Sequence, residues 1–372
     1  MNATELLKKL VSVPSVFPSE NTISKYLNSL LSGYGFSVRT MDTDGRENII
    51  ATYGKAKRYL CLQGHMDTVP PNTGMAEPYK LKGKHGLGIG LGAADMKGGV
   101  AAIVTAAKTA VNQGLPLKIV LTVGEENIFE GSNTIINSKA LEDVDFLISG
   151  ESGGESGDSK SAKEPFNVCY GRKGRILFDA TISGRRSHAA RKQDGINAIL
   201  KSSEFVYGVE RMQFPKHKHL GNTDIVVQSI SGKADSFSVP DKCAIEFSVI
   251  TAPNIKSRVV LDKLSNLCKE KGIEAEIKIH KRLTPYAESY EVNRSNPFLR
   301  KLEKNLFIPN GIKPLYAASV ADENVFANGL HIPVIGMGPV SGGFHSVNEW
   351  VNLKSLEATT KAYEKAIALY YS

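Results

Sequence analysis

The stretch Tyr59-Leu60-Cys61-Leu62-Gln63-Gly64-His65-Met66-Asp67 decides the fold of this chain. Its first six residues are mostly apolar, which predicts a central strand that is buried on both faces. Two more apolar runs of strand length follow at 117–123 and 144–149, and an Ala- and Val-rich segment over about 97–113 predicts a helix before them. The order strand, helix, strand, helix, strand indicates an α/β domain with a mainly parallel sheet and helices on both faces.

Side chains of metal-ligand type stand at the ends of these elements. They are His65 and Asp67 after the first strand, Asp95 before the helix, Glu125 and Glu126 after the second strand, and Glu151 after the third. Because ligands of open α/β sheets collect beyond the carboxyl ends of the strands, we expect these residues to lie close together. Carboxylates and imidazole without thiolates form a ligand set suited to catalytic zinc or a related divalent ion. The pattern therefore predicts a two-metal hydrolase site.

Each of these residues alone also has a simple structural explanation. Asp95 could be a helix N-cap, and the pair Glu125-Glu126 could be a solvated strand end. Their joint order makes metal binding the better interpretation. Gly88–Ala93 fits a loose GxGxxA dinucleotide pattern, but it follows no convincing strand, and Asp95 comes where a phosphate cradle would be needed. A nucleotide-dependent oxidoreductase is therefore a disfavoured alternative.

The composition narrows the class of protein. The chain has 372 residues, enough for two domains, and its net charge is +8, but its longest basic cluster, Lys216–His219, is short. We therefore expect no nucleic-acid partner. Four cysteines lie far apart without a CxxC pair, which indicates buried thiols in a reducing compartment. An amphipathic start unlike a signal peptide, and no apolar run of membrane-spanning length, predict a cytoplasmic protein that does not contact membranes.

A second pattern begins near residue 172. It consists of predicted strands at 175–183, 223–231, 242–251 and 273–281 and predicted helices at 194–212 and 255–271. The order β-α-β-β-α-β is the split βαβ, ferredoxin-like arrangement of α+β domains. We therefore predict an inserted domain over 172–283, carried by a discontinuous metal-binding catalytic domain made of 1–171 and 284–372.

Five motifs resemble the successive metal-site motifs of the M20 metallopeptidase family. They are Gly64–Pro70, Gly92–Gly99, Gly124–Glu126, Gly150-Glu151 and Gly342–Glu349. That family includes acetylornithine deacetylase, succinyl-diaminopimelate desuccinylase, aminoacylase-1 and glutamate carboxypeptidases. The resemblance covers nearly the whole chain, including the insert, and five motifs in the same order are far more specific than any one of them.

The resemblance implies a separate role for each residue. Five residues would hold two ions: Asp95 bridges both, His65 and Glu151 complete one, and Glu126 and His345 complete the other. Glu125 would be the general base, and Asp67 would orient His65 from behind. The expected cofactors are two Zn²⁺, with Co²⁺ or Mn²⁺ as alternatives, and ions about 3.5–4 Å apart would activate the attacking water.

The resemblance also implies that the insert is a lid and dimerisation domain. His188 matches the family histidine that reaches across the interface of a homodimer to stabilise the tetrahedral oxyanion. Relatives often carry an Asn shortly before Pro240 and an Arg at the end of the next strand, and this chain has neither. Arg282 is a candidate for holding the substrate carboxylate instead. These departures leave the identity of the substrate open.

Together these features predict a metal-dependent amide hydrolase that removes an N-acyl group from an amino-acid-like substrate, of the acetylornithine deacetylase or succinyl-diaminopimelate desuccinylase type. The expected partners are small N-acyl amino acids or short peptides. A dipeptidase or carboxypeptidase of the same family is the alternative within the same chemistry. A non-catalytic homologue is a third interpretation, but loss of Glu125 or of a ligand would have favoured it, and all of them are present.

Overall fold

The structure, a computed structural model, describes residues 1–154 and 165–372. It divides into two compact units. The first unit comprises Met1–Arg172 and Glu291–Ser372, and the second unit comprises Lys173–Tyr290. Among the described helices, none combines the length and the apolar character that crossing a membrane requires.

The amino-terminal part of the first unit supplies most strands of its main sheet. Its helices are α1 (Ala3–Val11), α2 (Asn21–Gly33), α3 (Gly98–Asn112), α4 (Glu125–Ile128) and α5 (Glu130–Asn137). Its strands are β1 (Ser37–Thr43), β2 (Arg46–Tyr53), β3 (Tyr59–His65), β4 (Lys82–Lys84), β5 (Leu87–Ile89), β6 (Leu117–Thr122), β7 (Val144–Ser149) and β8 (Asn167–Arg172). Helix α1 begins with a capping box, in which Asn2 and Glu5 exchange side-chain to backbone hydrogen bonds and so satisfy two amides at the helix start.

The second unit is an antiparallel sheet with two helices. Its elements are β9 (Gly174–Ser183), α6 (Ala198–Glu210), β10 (Asp224–Gly232), β11 (Lys242–Thr251), α7 (Ser257–Lys271) and β12 (Glu274–Ile279). The strand order is β10-β11-β9-β12, and all neighbours are antiparallel. Phe178 and Phe247 stack with their ring centroids 5.5 Å apart in a separate apolar core. The unit continues to Tyr290, and its last part is joined to β9 by a hydrogen bond from the amide of Arg175 to the carbonyl of Ala287.

The carboxyl-terminal segment returns to the first unit. Its strands are β13 (Tyr290–Glu291), β14 (Leu315–Ala317), β15 (Val334–Gly338), β16 (Ser341–Gly342) and β17 (Trp350–Asn352). Its helices are α8 (Pro297–Leu302), α9 (Asp322–Leu330) and α10 (Leu353–Tyr371). Helix α10 contacts α1 and α3, and α3 contacts β3, whereas α9 contacts α5 and β15. The first unit therefore depends on both ends of the chain for its core.

Four parallel strands form the centre of the main sheet. The strand order is β1-β2-β6-β3-β7-β15-β8-β13, with β14 beside β8. Strands β6, β3, β7 and β15 are parallel neighbours, whereas β2 and β8 join this group in antiparallel orientation. Every residue of β3 and β6 is buried, as expected for strands that are covered on both faces. The prediction of a mainly parallel α/β sheet is confirmed.

Several predicted elements have different limits in the structure. Helix α6 begins at Ala198 rather than at 194, because the side chain of Asn197 caps it by accepting hydrogen bonds from two amides of its first turn. The residue pattern over 291–307 also predicts a helix, but in the structure α8 begins only at Pro297, where Asn296 is the N-cap. Side-chain capping, which periodicity does not detect, decides both starts.

The segment over 70–92 is rich in Pro and Gly, which predicts a loop, but it contains two short strands. Strands β4 and β5 form a small sheet with β16 and β17, in the order β16-β17-β5-β4. Trp350 pairs with Ile89, and Val351 pairs with Gly88. This pairing brings a segment from near the carboxyl end of the chain beside the residues that precede Asp95.

Candidate metal centre

Three strands of the main sheet end at the candidate site. Strand β3 ends in His65, and β7 leads through a glycine into Glu151. After β6 the chain turns at Gly124, whose φ of 69° is readily adopted by glycine, and α4 begins with Glu125 and Glu126. Because β6, β3 and β7 are parallel neighbours, these side chains meet at one edge of the sheet.

Asp95 reaches the same place from a different element. It lies in a turn, Ala93–Lys97, which precedes α3, and its own backbone is extended, with a φ of −130° and a ψ of 100°. The carboxylate of the buried Glu349 accepts hydrogen bonds from the amides of Gly92 and Ala94, both at 2.8 Å, and of Asp95 at 3.1 Å. These contacts fix the backbone from which the Asp95 side chain projects.

The carboxylate of Asp95 lies between two groups of ligand-type side chains. On one side, His65 Nε2 is 3.0 Å from Asp95 Oδ1 and 3.3 Å from Glu151 Oε1. On the other side, His345 Nε2 is 3.4 Å from Asp95 Oδ2 and 3.2 Å from Glu126 Oε2. The structure therefore brings together all five residues that the sequence predicted as ligands, with each oxygen of Asp95 directed to a different histidine.

The donor set fits divalent cations. Glu126 Oε1 is buried and has no hydrogen-bond partner among the described residues. One ligand atom each of His65, Asp95 and Glu126 lies within 4.8 Å of the other two. Buried carboxylate oxygens are costly unless a hydrogen bond or a cation satisfies them. The arrangement of hard oxygen donors with imidazole is that of a site for zinc or a similar ion.

The electrostatics of the cluster also indicate an excess of negative charge. Burial raises the pKa of Glu125 well above its usual value; His65 opposes this rise, whereas the charge of Glu126 adds to it. Burial would raise the pKa of Asp95 as well, but hydrogen bonds from His345 and His65 hold it below its usual range. The hydrogen bonds that His345 donates to Asp95 and Glu126 raise the pKa of His345 to about 10. Bound cations would neutralise the same carboxylates.

Asp67 connects two of the ligand segments. Its backbone oxygen is 3.1 Å and its Oδ1 is 3.4 Å from His65 Nδ1, the ring nitrogen that faces away from Asp95. Its Oδ2 accepts a hydrogen bond of 2.9 Å from the amide of Glu126. Such contacts orient a ligating histidine and fix its tautomer. The geometry agrees with the orienting position that the resemblance implied.

A cavity of about 380 Å³ opens beside the cluster. Its walls include four acidic residues of the site together with His345, Phe344, the segment Ser152–Gly154, the segment Ala317–Ala321, and Arg172. The guanidinium of Arg172 donates to Glu323 and, at 3.0 Å, to Ser319 Oγ, and it lies 3.6 Å from Glu151 Oε2. A buried cation therefore stands at the cavity wall next to a candidate metal ligand.

Two predicted site residues belong to the second unit. The ring of the exposed His188 accepts a hydrogen bond at Nδ1 from the amide of Ala190, so in the neutral ring Nε2 carries the proton. Its ring also contacts Phe237, with centroids 5.9 Å apart. Arg282 donates to the carbonyls of Thr284 and Pro285 and stacks over a tyrosine ring. The roles assigned to His188 and Arg282 stay predictions.

Sequence reasoning missed three buried charged residues beside the site. Glu349 was part of a quoted motif but received no role, and Arg172 was not singled out. Asp322, the first residue of α9, accepts hydrogen bonds from Gln63 Nε2 at 3.0 Å and Thr122 Oγ1 at 2.5 Å. For Arg172 and Glu349 the available signal was a charged residue at the end of a strand or next to one, and for Asp322 it was a charged residue at the start of a helix, but sequence alone does not show which of these residues are buried.

Comparisons with known proteins agree with this geometry. A succinyl-diaminopimelate desuccinylase of Buchnera aphidicola is 26% identical to this chain, and the alignment covers 98% of this chain and 97% of that relative. A second one, from Aliarcobacter butzleri, is 25% identical over 99% of both chains. A tripeptidase from Staphylococcus aureus has a TM-score of 0.75 at 21% identity and covers 99% of this chain and 98% of its own. A dinuclear metal-binding M20 peptidase from Bacillus subtilis has a TM-score of 0.72 at 15% identity, with coverage of 99% and 97%.

The family model described as peptidase family M20/M25/M40 matches residues 61–369, which include all five predicted metal ligands and the whole second unit. The resemblance inferred from the motifs is thus confirmed. The chain belongs to peptidase family M20/M25/M40, and it is a metal-dependent hydrolase of amide or peptide bonds.

Proposed function

We propose that this chain removes an N-acyl group from an amino-acid-like substrate, as a desuccinylase or deacetylase does. The observation that carries the proposal is the position of Asp95, with His65 and Glu151 on one side and His345 and Glu126 on the other. These residues would hold two divalent ions, for which zinc is the expected metal. Such a pair, when bound, polarises the amide carbonyl and lowers the pKa of the attacking water.

Glu125 is the general base in this proposal. Its carboxylate is almost fully buried and lies 4.0 Å from His65 Nε2, so it borders the ligand cluster without being one of the five ligands. It takes a proton as the water oxygen bonds to the amide carbon, and it returns that proton to the nitrogen as the carbon–nitrogen bond breaks. The products are a carboxylate and an amine. Burial favours this exchange because it raises the pKa of the carboxylate toward the working range of an acid–base catalyst.

His188 stabilises the oxyanion from a second subunit. The hydrogen bond from Ala190 to Nδ1 leaves Nε2–H as the donor of the neutral ring and fixes the position of the ring, which also contacts Phe237. A donor that is fixed before the reaction stabilises the developing charge without reorganisation. This role requires a homodimer, because the resemblance assigns the histidine to the partner's site.

The surface of the second unit supports dimerisation through the insert. Strand β10 is at the edge of its sheet, and its residues Val226 and Ile230 are 51% and 50% exposed. Helix α6 adds Leu200 and Tyr207 at 63% and 64% exposure. An edge strand with exposed apolar side chains pairs readily with another chain. The second unit is thus proposed as the dimerisation domain and lid, and the first as the catalytic domain.

The substrate class follows from the relatives and from the cavity. The named relatives that align over nearly the whole chain are succinyl-diaminopimelate desuccinylases, which favours an N-acyl amino acid with further charged groups. Arg172 at the cavity wall and Arg282 are candidates for holding a substrate carboxylate. A cytoplasmic location fits such a metabolite and stays a prediction.

A dipeptidase or carboxypeptidase activity is the second candidate. The observation that favours it is Phe237, which is 77% exposed and contacts His188 in the stretch where relatives often carry an Asn. An aromatic side chain offers a contact for an apolar residue of a peptide, whereas an amide would hold a polar group.

One assay panel tests both candidates. The purified protein would be supplied with Zn²⁺ and offered N-succinyl-diaminopimelate, N-acetylornithine and Gly-containing dipeptides, and release of the free amine would be measured. We expect turnover of an N-acyl amino acid that disappears when the metal is removed and returns when it is restored. Turnover confined to dipeptides would replace the first candidate by the second, and turnover of none of these substrates would reject both.

A further inference from the structure

Glu349 makes an unusual set of contacts beside the metal centre. It is 1% exposed, and its two carboxylate oxygens accept three backbone hydrogen bonds. Oε2 accepts from Gly92, and Oε1 accepts from both Ala94 and Asp95. Hydrogen bonds from backbone amides to a carboxylate are stronger than those between neutral groups. The backbone that carries Asp95 is therefore wrapped around a buried carboxylate.

The shape of this segment suits an anion. Gly92 has a φ of 73°, a left-handed conformation, and the turn Ala93–Lys97 follows directly. Successive amides in such a turn point into one concave space, which is an anion-binding arrangement. A Cβ at Gly92 would lie 2.6 Å from the methyl group of Thr68, so the segment has no room to adjust there. Glu349 supplies the anion from within the chain.

The same residue is joined to the segment of His345. Glu349 follows His345 by four positions in the sequence, and strand β17 starts directly after Glu349 and pairs with β5. The carbonyl of Glu349 also accepts from the amide of Gly90, at 3.2 Å. The pairing of β17 with β5 and the carboxylate of Glu349 thus connect the segment that carries His345 to the segment that carries Asp95, although the two side chains are far apart in sequence.

We propose that Glu349 is a positioning residue that sets the distance between Asp95 and His345 before any metal binds. The inference rests on the proposed metal site. Glu349 binds the backbone that carries Asp95 and belongs to the segment that carries His345. The side chains of these two segments meet at one side of the metal site, where Asp95 Oδ2 and His345 Nε2 are 3.4 Å apart. A carboxylate that stabilised only the fold would not need to connect these two segments. Glu349 itself touches neither substrate nor the reacting atoms, so its effect is on metal affinity.

The decisive variant is Glu349→Gln, which keeps the shape of the side chain. One oxygen becomes an NH₂ group, which faces an amide instead of accepting from it, so at least one of the three hydrogen bonds is replaced by a repulsion. We expect the affinity for Zn²⁺, measured by competition with a chromophoric chelator, to fall about 10–100-fold, as is typical when contacts behind metal ligands are lost. The matched control is Asn296→Ala, which removes the N-cap of α8 and should lower the melting temperature without changing metal affinity.

Hydrogen exchange on the metal-free wild-type protein gives a second measurement that does not depend on how the variant folds. The amides of Gly92, Ala94 and Asp95 should be strongly protected. Free exchange at these amides would overturn the inference, and so would wild-type zinc affinity in Glu349→Gln. A wild-type protein that bound no divalent metal would overturn the proposed function together with this inference, whereas the first two results would leave the proposed function intact.

Discussion

The two units of this molecule differ in the side chains that they bury and expose: the first buries charged side chains, and the second exposes apolar ones. In the first unit, strands β3 and β6 are buried along their whole length, and charged side chains such as Glu349 and Arg172 are buried with them. In the second unit, β10 shows mostly exposed residues, and apolar side chains such as Ile230 face solvent. Burying charged side chains and exposing apolar side chains both cost free energy, so each of these features indicates a function. The buried carboxylates lie at and beside the candidate metal centre, and the exposed apolar side chains lie on the surface that we propose for dimerisation.

The largest expected effect is at Glu125, inside the first unit. Replacement of Glu125 by Gln keeps its volume but removes the proton acceptor, so turnover should fall by about 10²–10⁴-fold. Metal content, measured by elemental analysis, should stay that of the wild type because Glu125 is not one of the five ligands. Glu142→Gln, at an exposed glutamate of the same unit, serves as the control. Undiminished turnover in the Glu125 variant would refute the assignment of the base.

The contrast in charge burial can be tested with two arginines. Arg172→Met leaves Glu323, which is fully buried, without its partner, and we expect the free energy of unfolding to drop by about 3–5 kcal/mol. Arg186→Met removes an ion pair with Asp235, in which the two side chains are 47% and 85% exposed. This substitution should change the free energy of unfolding by less than about 0.5 kcal/mol. Urea unfolding followed by circular dichroism measures both. Equal losses in the two variants would show that burial does not set the difference.

His188→Ala tests whether the second unit takes part in the chemistry. Loss of one oxyanion donor should lower kcat by about 10²–10³-fold with little change in KM. His85→Ala, at an exposed histidine of the first unit, should leave both constants unchanged.

Mixed dimers show from which subunit the histidine acts. When His188→Ala and Glu125→Gln proteins are exchanged in equal amounts, half of the dimers are mixed, and each has one site with an intact Glu125 and an intact partner histidine. About a quarter of the wild-type activity should return. If the histidine acts within its own chain, the mixture will stay as inactive as its components.

The smallest effect on stability is expected at the edge of the second sheet. Ile230→Lys should convert dimers to monomers in light scattering, while the unfolding free energy of the subunit changes by less than about 0.5 kcal/mol. Ile279→Lys, at a 40% exposed position on the opposite edge strand β12, is the matched control and should leave the dimer intact. Dimers that persist in the Ile230 variant would place the interface elsewhere.

Much of the fold could be read from apolar runs and their order. The strand runs that end before His65, Glu125 and Glu151 predicted a parallel sheet, and the β-α-β-β-α-β pattern predicted the topology of the second unit. Element limits were less predictable. The starts of α6 and α8 depend on the capping side chains of Asn197 and Asn296, and caps act through single hydrogen bonds that leave no periodic pattern.

The sequence by itself determined which residues could bind metal, because ligand chemistry belongs to the side chains and the parallel order of the strands carries their ends to one edge. Only the tertiary structure decided how these residues are held. Glu349 reaches the backbone around Asp95 because β17 pairs with β5, and Arg172 becomes a buried charge because Glu323 meets it from α9. Both contacts join segments that are more than a hundred residues apart. A local sequence pattern cannot predict such a contact, because its two residues lie in distant parts of the chain.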